Sequence, residues 1–142
     1  MWVMSPPKVL AVTTFFNVVL TWNRGISFGL FNNESNLGVW IFSILALIIV
    51  GILLSWLWKI DSKTIAVSLG FIIGGALGNV TDRILHLAVV DFLDFYLGGV
   101  HWPAFNVADS FITSGAVVLI VDSLFSRRKT HTNISGSGEP GN

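Results

Sequence analysis

The chain has 142 residues, 53% of them hydrophobic and 11% charged, and its 14 glycines bring the apolar share to about 63%, against the 45–50% usual in soluble domains, which excludes an ordinary soluble globule. Eight Lys and Arg balance eight Asp and Glu, so no basic excess exists to neutralise a phosphate backbone, and nucleic acid is excluded as a main partner. The absence of cysteine excludes disulfides, thiol nucleophiles, cysteine-based zinc sites and S-acylation.

In chain order, residues 1–36 read as an extracytoplasmic strand and turn region. Val9–Trp22 is apolar but only 14 residues long, follows Pro6, Pro7 and Lys8, and lacks a small-residue cleavage site, so it suits neither a span nor a signal peptide. Its Val, Thr and Phe content predicts strand, and Asn23, Gly25, Gly29, Asn32 and Asn33 predict turns. Residues 37–128 form the membrane domain, with spans at about 37–58, 64–86 and 103–126. The first holds 22 uncharged residues from Leu37 to Trp58, a helix of about 33 Å that matches the hydrocarbon thickness. The second is uncharged over 18 residues, Thr64–Thr81, and closes on Asp82 and Arg83. The third is interrupted by Asn106 and Asp109. Residues 129–142, rich in Ser, Gly, Thr and Asn, predict a disordered tail.

Lys59 and Lys63 mark the connection between spans one and two, and Arg127, Arg128 and Lys129 follow span three, whereas Leu87–His101 carries Asp91 and Asp94 and no Lys or Arg. The positive-inside rule therefore puts the first connection and the C-terminus in the cytoplasm and the Asp91 connection outside. Three spans then leave residues 1–36 outside with nothing to carry them, so a further helix upstream is expected.

Ionisable groups in or beside spans cost about 2.5–3.5 kcal/mol each at a helix centre on insertion scales, and so call for a reason. Asn106 and Asp109 share a helix face, as do Asn79 and Arg83, and all four lie at the outer depth. Asp91, between apolar neighbours on a short connection, can fold toward Asp109. Two carboxylates brought together cannot both ionise, so the pair shares a proton. One member can then activate water while the other polarises a carbonyl. Blander readings stand beside these: Asp109 as a helix-cap variant after Pro103, Asp94 as a solvated acid, Arg83 as an interfacial cation, and Gly70, Gly74 and Gly78, with Gly75 beside them, as a close-packing stripe. Trp40, Trp56, Trp58 and Trp102 read as interfacial anchors.

The string Gly74-Gly75-Ala76-Leu77-Gly78-Asn79-Val80-Thr81-Asp82-Arg83, then Val89-Val90-Asp91-Phe92, then Pro103-Ala104-Phe105-Asn106-Val107-Ala108-Asp109-Ser110 closely resembles the lipoprotein signal peptidase (signal peptidase II) family. Trp22-Asn23-Arg24-Gly25-Ile26-Ser27-Phe28 is similar to its N-x-G-x-x-F motif. The resemblance implies an all-α polytopic membrane protein, three spans here against four in the family, with a small extracytoplasmic β region near the N-terminus. It implies a bacterial inner-membrane aspartic endopeptidase, its active site at the outer face, that cuts the signal peptide from a prolipoprotein on the N-terminal side of the diacylglyceryl-modified cysteine. By motif, Asp91 and Asp109 would be the catalytic dyad. Asn79 and Asn106 would position dyad and substrate, Arg83 would order the site, and Asn23 with Gly25 would belong to a strand region cradling the substrate.

The expected partners are the lipid-modified prolipoprotein and bilayer lipids; no cofactor, metal or second subunit is expected. The chain departs from the family in lacking the first helix with its D-Q-x-x-K type pattern, and Arg24 stands where members commonly have a smaller residue. Two other readings are a truncated inactive homologue and a small proton-coupled transporter subunit with Asp109 and Arg83 as a relay. The latter needs a polar path that the inner ends of spans one and two, with only Ser and Thr, do not offer.

Overall fold

The computed structural model describes residues 9–25 and 36–135, with side chains as far as Phe125. Ile26, Ser27 and Phe28 of the first motif, the expected turns at Gly29, Asn32 and Asn33, and residues 136–142 lie outside that set. The elements run β1 (Leu10–Ala11), β2 (Phe16–Asn23), α1 (Leu37–Leu57), α2 (Lys63–His86), β3 (Val89–Leu97), β4 (Val100–His101) and α3 (Val107–Ser135). Among the described residues three helices are long and apolar enough to cross a membrane, α3 over Val107–Phe125, and the four strands form one antiparallel sheet in the order β1-β2-β3-β4. Helices with a small β region are the expected fold class.

The helices begin and end for local reasons. In α1 no charge interrupts the run, so every backbone polar group can be satisfied inside the helix, as a bilayer demands. The Ser62 side chain caps α2 by accepting from the Ile65 N–H. At the other end Leu87 turns left-handed (φ 55°) and returns its N–H to the Arg83 carbonyl, a helix stop usually given to glycine. Arg83 and His86 occupy that last turn, where cations complement the helix dipole. The tail predicted from Ser, Thr and Asn content to be disordered from 129 instead continues α3 to Ser135, because adding a residue to an existing helix costs far less than starting one.

Helix α2 is the centre of the bundle. Helices α1 and α3 each pack on α2 and, among the described residues, not on each other. Its buried Leu69 and Ile73 meet Val50 of α1. Toward α3 the approach is close enough that an added Cβ on Gly75 would collide with the Ala108 carbonyl, and one on Gly115 with the Ser68 carbonyl. This is small-residue packing of the kind that drives helix association in lipid. The expected glycine stripe is thus only partly used: Gly75 makes the contact, whereas Gly70 and Gly74 face open space and help line an apolar groove of about 370 Å³ beside Phe71, Val107 and Phe111.

The connection from Leu87 to His101, read from its charges as a short loop, is strand. Val89–Phe95 pairs with β2, Asn17 opposite Asp94 and Thr21 opposite Asp91, and Tyr96 and Leu97 pair with β4. Half of the sheet therefore comes from between the second and third helices rather than from the N-terminus. Because Pro103 cannot donate to a ladder, the chain then stays extended to Phe105, which bridges to Leu93. Helix α3 starts only at Val107, so Asn106 stands immediately before its first turn and Asp109 lies within it.

Candidate active site

Asn106 is built into the start of α3 as a reciprocal cap. Its side-chain oxygen accepts the Asp109 N–H at 3.0 Å, and Asp109 Oδ2 accepts the Asn106 N–H at 3.3 Å. This is the capping-box arrangement, with Asn and Asp as the two side chains. The blander reading of Asp109 as a cap residue is correct as far as it goes. The same cap also fixes the carboxylate in place: its other oxygen, Oδ1, accepts from Asn79 Nδ2 of α2 at 2.8 Å.

From the cap the network reaches the sheet. Asn106 Nδ2 donates to Asp91 Oδ1 at 2.9 Å and to Asn79 Oδ1 at 3.2 Å, so one amide joins the two carboxylates through bonds to β3, α2 and its own helix. Asp91 Oδ2 accepts from Asn23 Nδ2 at 3.0 Å. The Asn23 oxygen in turn accepts the Gly25 N–H at 2.9 Å, a local turn that asparagine favours. Asp91 is 2% exposed and Asn106 4%. Burial holds the Asp91 carboxyl above its usual range, the bonds from Asn23 and Asn106 pull it back down, the neighbouring Asp109 charge adds to the rise and Arg83 opposes it.

Arg83 donates from Nη1 to the Asn79 carbonyl at 3.3 Å, and its guanidinium carbon lies 6.0 Å from the centre of the Phe42 ring, at the outer limit for a cation–π contact. Among the described residues its buried Nε has no hydrogen-bond partner, leaving a donor near Asp91 and Asp109. The same Phe42 ring closes the other side of the site: a Cβ on Gly25 would come within 2.6 Å of it, and Gly25 has φ 102°. Only glycine meets both conditions. Gly25→Ala is expected to cost about 1–3 kcal/mol, read as a lower unfolding midpoint in detergent, with activity falling alongside; an unchanged midpoint would show that the loop does not depend on this contact.

All seven residues singled out in the sequence, Asn23, Gly25, Asn79, Arg83, Asp91, Asn106 and Asp109, are thus brought into one continuous network by β2, α2, β3 and α3. Among the described residues, no three His, Asp or Glu side chains converge as metal ligands. Three residues escaped the sequence reading. Phe42, in an unbroken apolar helix, carries no signal that distinguishes it from its neighbours. Asp94, expected to be solvated, is 6% exposed and bonded to Asn17 and His101. The expectation failed because the Phe92 and Leu93 N–H groups both donate to the Phe105 carbonyl, at 3.1 and 2.8 Å, a β-bulge that breaks alternation between Asp91 and Asp94. Asp82, read only as the end of span two, accepts the Val90 N–H at 3.3 Å and ties β3 to the end of α2.

Three spanning helices, a sheet at one end of α2 and two carboxylates joined through one asparagine define a polytopic membrane protein with a paired-aspartate site. Residues 1–125 match the family described as signal peptidase (SPase) II, the A8 peptidases. A lipoprotein signal peptidase of Aeromonas hydrophila is 44% identical over 120 residues, covering 83% of this chain and 72% of that protein. One of Methylorubrum extorquens is 44% identical over 137 residues, covering 96% and 79%, and one of Burkholderia vietnamiensis 49% over 115 residues, covering 80% and 69%. A bacterial membrane enzyme solved by the in meso method at 2.3 Å superposes with a TM-score of 0.70 at 28% identity, over 98% of this chain and 80% of that one. The chain belongs to the signal peptidase II family of aspartic endopeptidases.

Proposed function

We infer that the chain is a lipoprotein signal peptidase, cutting the signal peptide from prolipoproteins with Asp91 and Asp109 as its catalytic pair. The observation that carries the assignment is the Asn106 amide, which links the carboxylate on β3 to the helix cap that holds the other. In the proposed reaction the deprotonated carboxylate takes a proton from water as its oxygen attacks the scissile carbonyl carbon. The protonated carboxyl donates to the carbonyl oxygen, the tetrahedral intermediate collapses, and a proton passes to the departing amine nitrogen as the C–N bond breaks. Asn79 and Asn106 hold the pair, and among the described residues no acceptor pairs the Arg83 Nε–H.

The cut is on the N-terminal side of the diacylglyceryl-modified cysteine, at the outer face of the bacterial inner membrane. Charge placement supports that side: Lys59 and Lys63 lie at the end of the bundle opposite Asn79 and Arg83. A substrate that is itself an apolar helix with a lipid at the cut presents its scissile bond at the bilayer rim, level with this site. The transporter reading lacks a path, since Ser55 and Ser68, in the halves of α1 and α2 nearer the lysines, turn back onto their own helix carbonyls.

In vesicles, a prolipoprotein bearing the diacylglyceryl group should be cut to a product that begins at the lipidated cysteine, and the unlipidated precursor should stay intact; equal cutting of both would contradict the proposed site preference. The pH profile has a definite sign. Burial makes Asp91 hold its proton to higher pH than an ordinary carboxyl, so the alkaline limb of kcat/KM, where the single shared proton is lost, lies above the usual carboxylate range. Asn23→Ala removes a bond that favours the charged form, so that limb should move to still higher pH; movement to lower pH would contradict the assignment.

A further inference from the structure

We propose that Asp94, through Asn17 and His101, is a positioning residue for the reaction, clamping the three strands so that Asp91 stays dry and aimed at Asp109. The inference rests on the dyad assigned above.

Asp94 is a buried acid that the reaction does not touch, and it is bonded from both flanking strands. Asn17 Nδ2 of β2 donates to Asp94 Oδ2 at 2.9 Å, and His101 Nδ1 of β4 lies 3.0 Å from both carboxylate oxygens. The His101 ring stacks on Tyr96 with centroids 5.1 Å apart, and the Tyr96 hydroxyl reaches the Thr13 carbonyl. The Asn17 bond first, then that of His101, holds the Asp94 carboxyl below the usual carboxylate range, so Asp94 keeps its charge to lower pH than an ordinary carboxyl does.

Its placement gives the clamp leverage. Between Asp94 and Asp91 lies the Phe92–Leu93 bulge against Phe105, and opposite it β2 carries its own irregularity between Val18 and Thr21. Two irregular strands side by side specify register weakly. The side-chain bonds at Asp94 pin one end of this stretch; Asn23 and Asn106 at Asp91 pin the other. Phe105 leads directly into Asn106, so slack at the bulge reaches both carboxylates. A displacement of about 1 Å at a catalytic group can cost 100-fold in rate.

The test compares Asp94→Ala, Asp94→Asn and Asp91→Asn in full-length protein in vesicles, with a lipidated prolipoprotein. Asp94→Ala is expected to lower kcat about 10- to 100-fold with KM little changed and normal amounts of folded protein in the membrane. Burial is the largest cause of the raised Asp91 pKa, and the groups facing Asp91 are Asn23, Asn106, Asp109 and Arg83. Water entering beside it therefore moves the alkaline limb to lower pH, opposite to the shift expected for Asn23→Ala. Asp94→Asn, whose amide can accept from His101 and pair with Asn17 after turning over, should recover most of kcat. A wild-type kcat and pH profile in Asp94→Ala overturns the inference, as does a loss matched by missing folded protein with the pH limb unmoved. Activity retained by Asp91→Asn overturns the dyad itself, a separate failure.

Discussion

Asp91→Asn and Asp109→Asn are each expected to lower prolipoprotein processing by about 100- to 10,000-fold, the range for loss of a positioned acid or base, while membrane insertion and helix content stay normal. Asparagine is nearly isosteric with aspartate and keeps one accepting oxygen toward Asn106 or Asn79, giving up the second accepted bond, so the fold survives while proton transfer is lost. The double variant should be little worse than either single one, because groups acting as a unit give strongly non-additive losses. Full multiplication of the two effects in the double variant would mean that the carboxylates act independently. Wild-type processing by either single variant would remove the dyad.

Gly75→Leu is the second large effect. The side chain has no room against the Ala108 carbonyl and Ile112, so α3 must move away from α2, at about 1–3 kcal/mol for overpacking a tight contact. Asn79 lies one turn from Gly75, and Asp109 next to Ala108, so the same displacement stretches the Asn79–Asp109 bond. Both unfolding midpoint and activity should fall. Gly74→Leu is the control: its added Cβ meets nothing within 4 Å and the rest of the side chain has the apolar groove to occupy, so both should remain close to wild type. Equal damage from the two would show that the α2–α3 contact does not position the site.

The three apolar runs were legible because a bilayer admits only uncharged stretches long enough to cross it, and the polar residues within those runs pointed to a site because hydrocarbon makes each of them costly. Asn106 and Asp109, three apart, could be seen to belong together on one helix. What the spacing could not convey was that they cap the first turn itself, since Pro103 delays the start of α3. Asp91 was recognisable from its apolar flanks, yet its strand was not, because a nine-residue run with Asp at its third and sixth positions fits no simple alternation. The bulge reconciles them, and bulges are specified by pairing partners distant in sequence. The burial of Asp94 was hidden for the same reason, since Asn17 lies 77 residues away. Phe42 was invisible for another: in an all-apolar helix, hydropathy does not mark the one ring that meets Gly25 and Arg83.

Cleavage of a diacylglyceryl-modified prolipoprotein by the purified chain in vesicles, run in ¹⁸O-labelled water and read by mass spectrometry of both fragments, tests the central claim most directly. Water activated by an aspartate pair predicts a signal peptide carrying a single ¹⁸O in its new C-terminal carboxylate and a partner fragment that begins at the lipidated cysteine. An intact precursor, or a cut at any other bond, would contradict it.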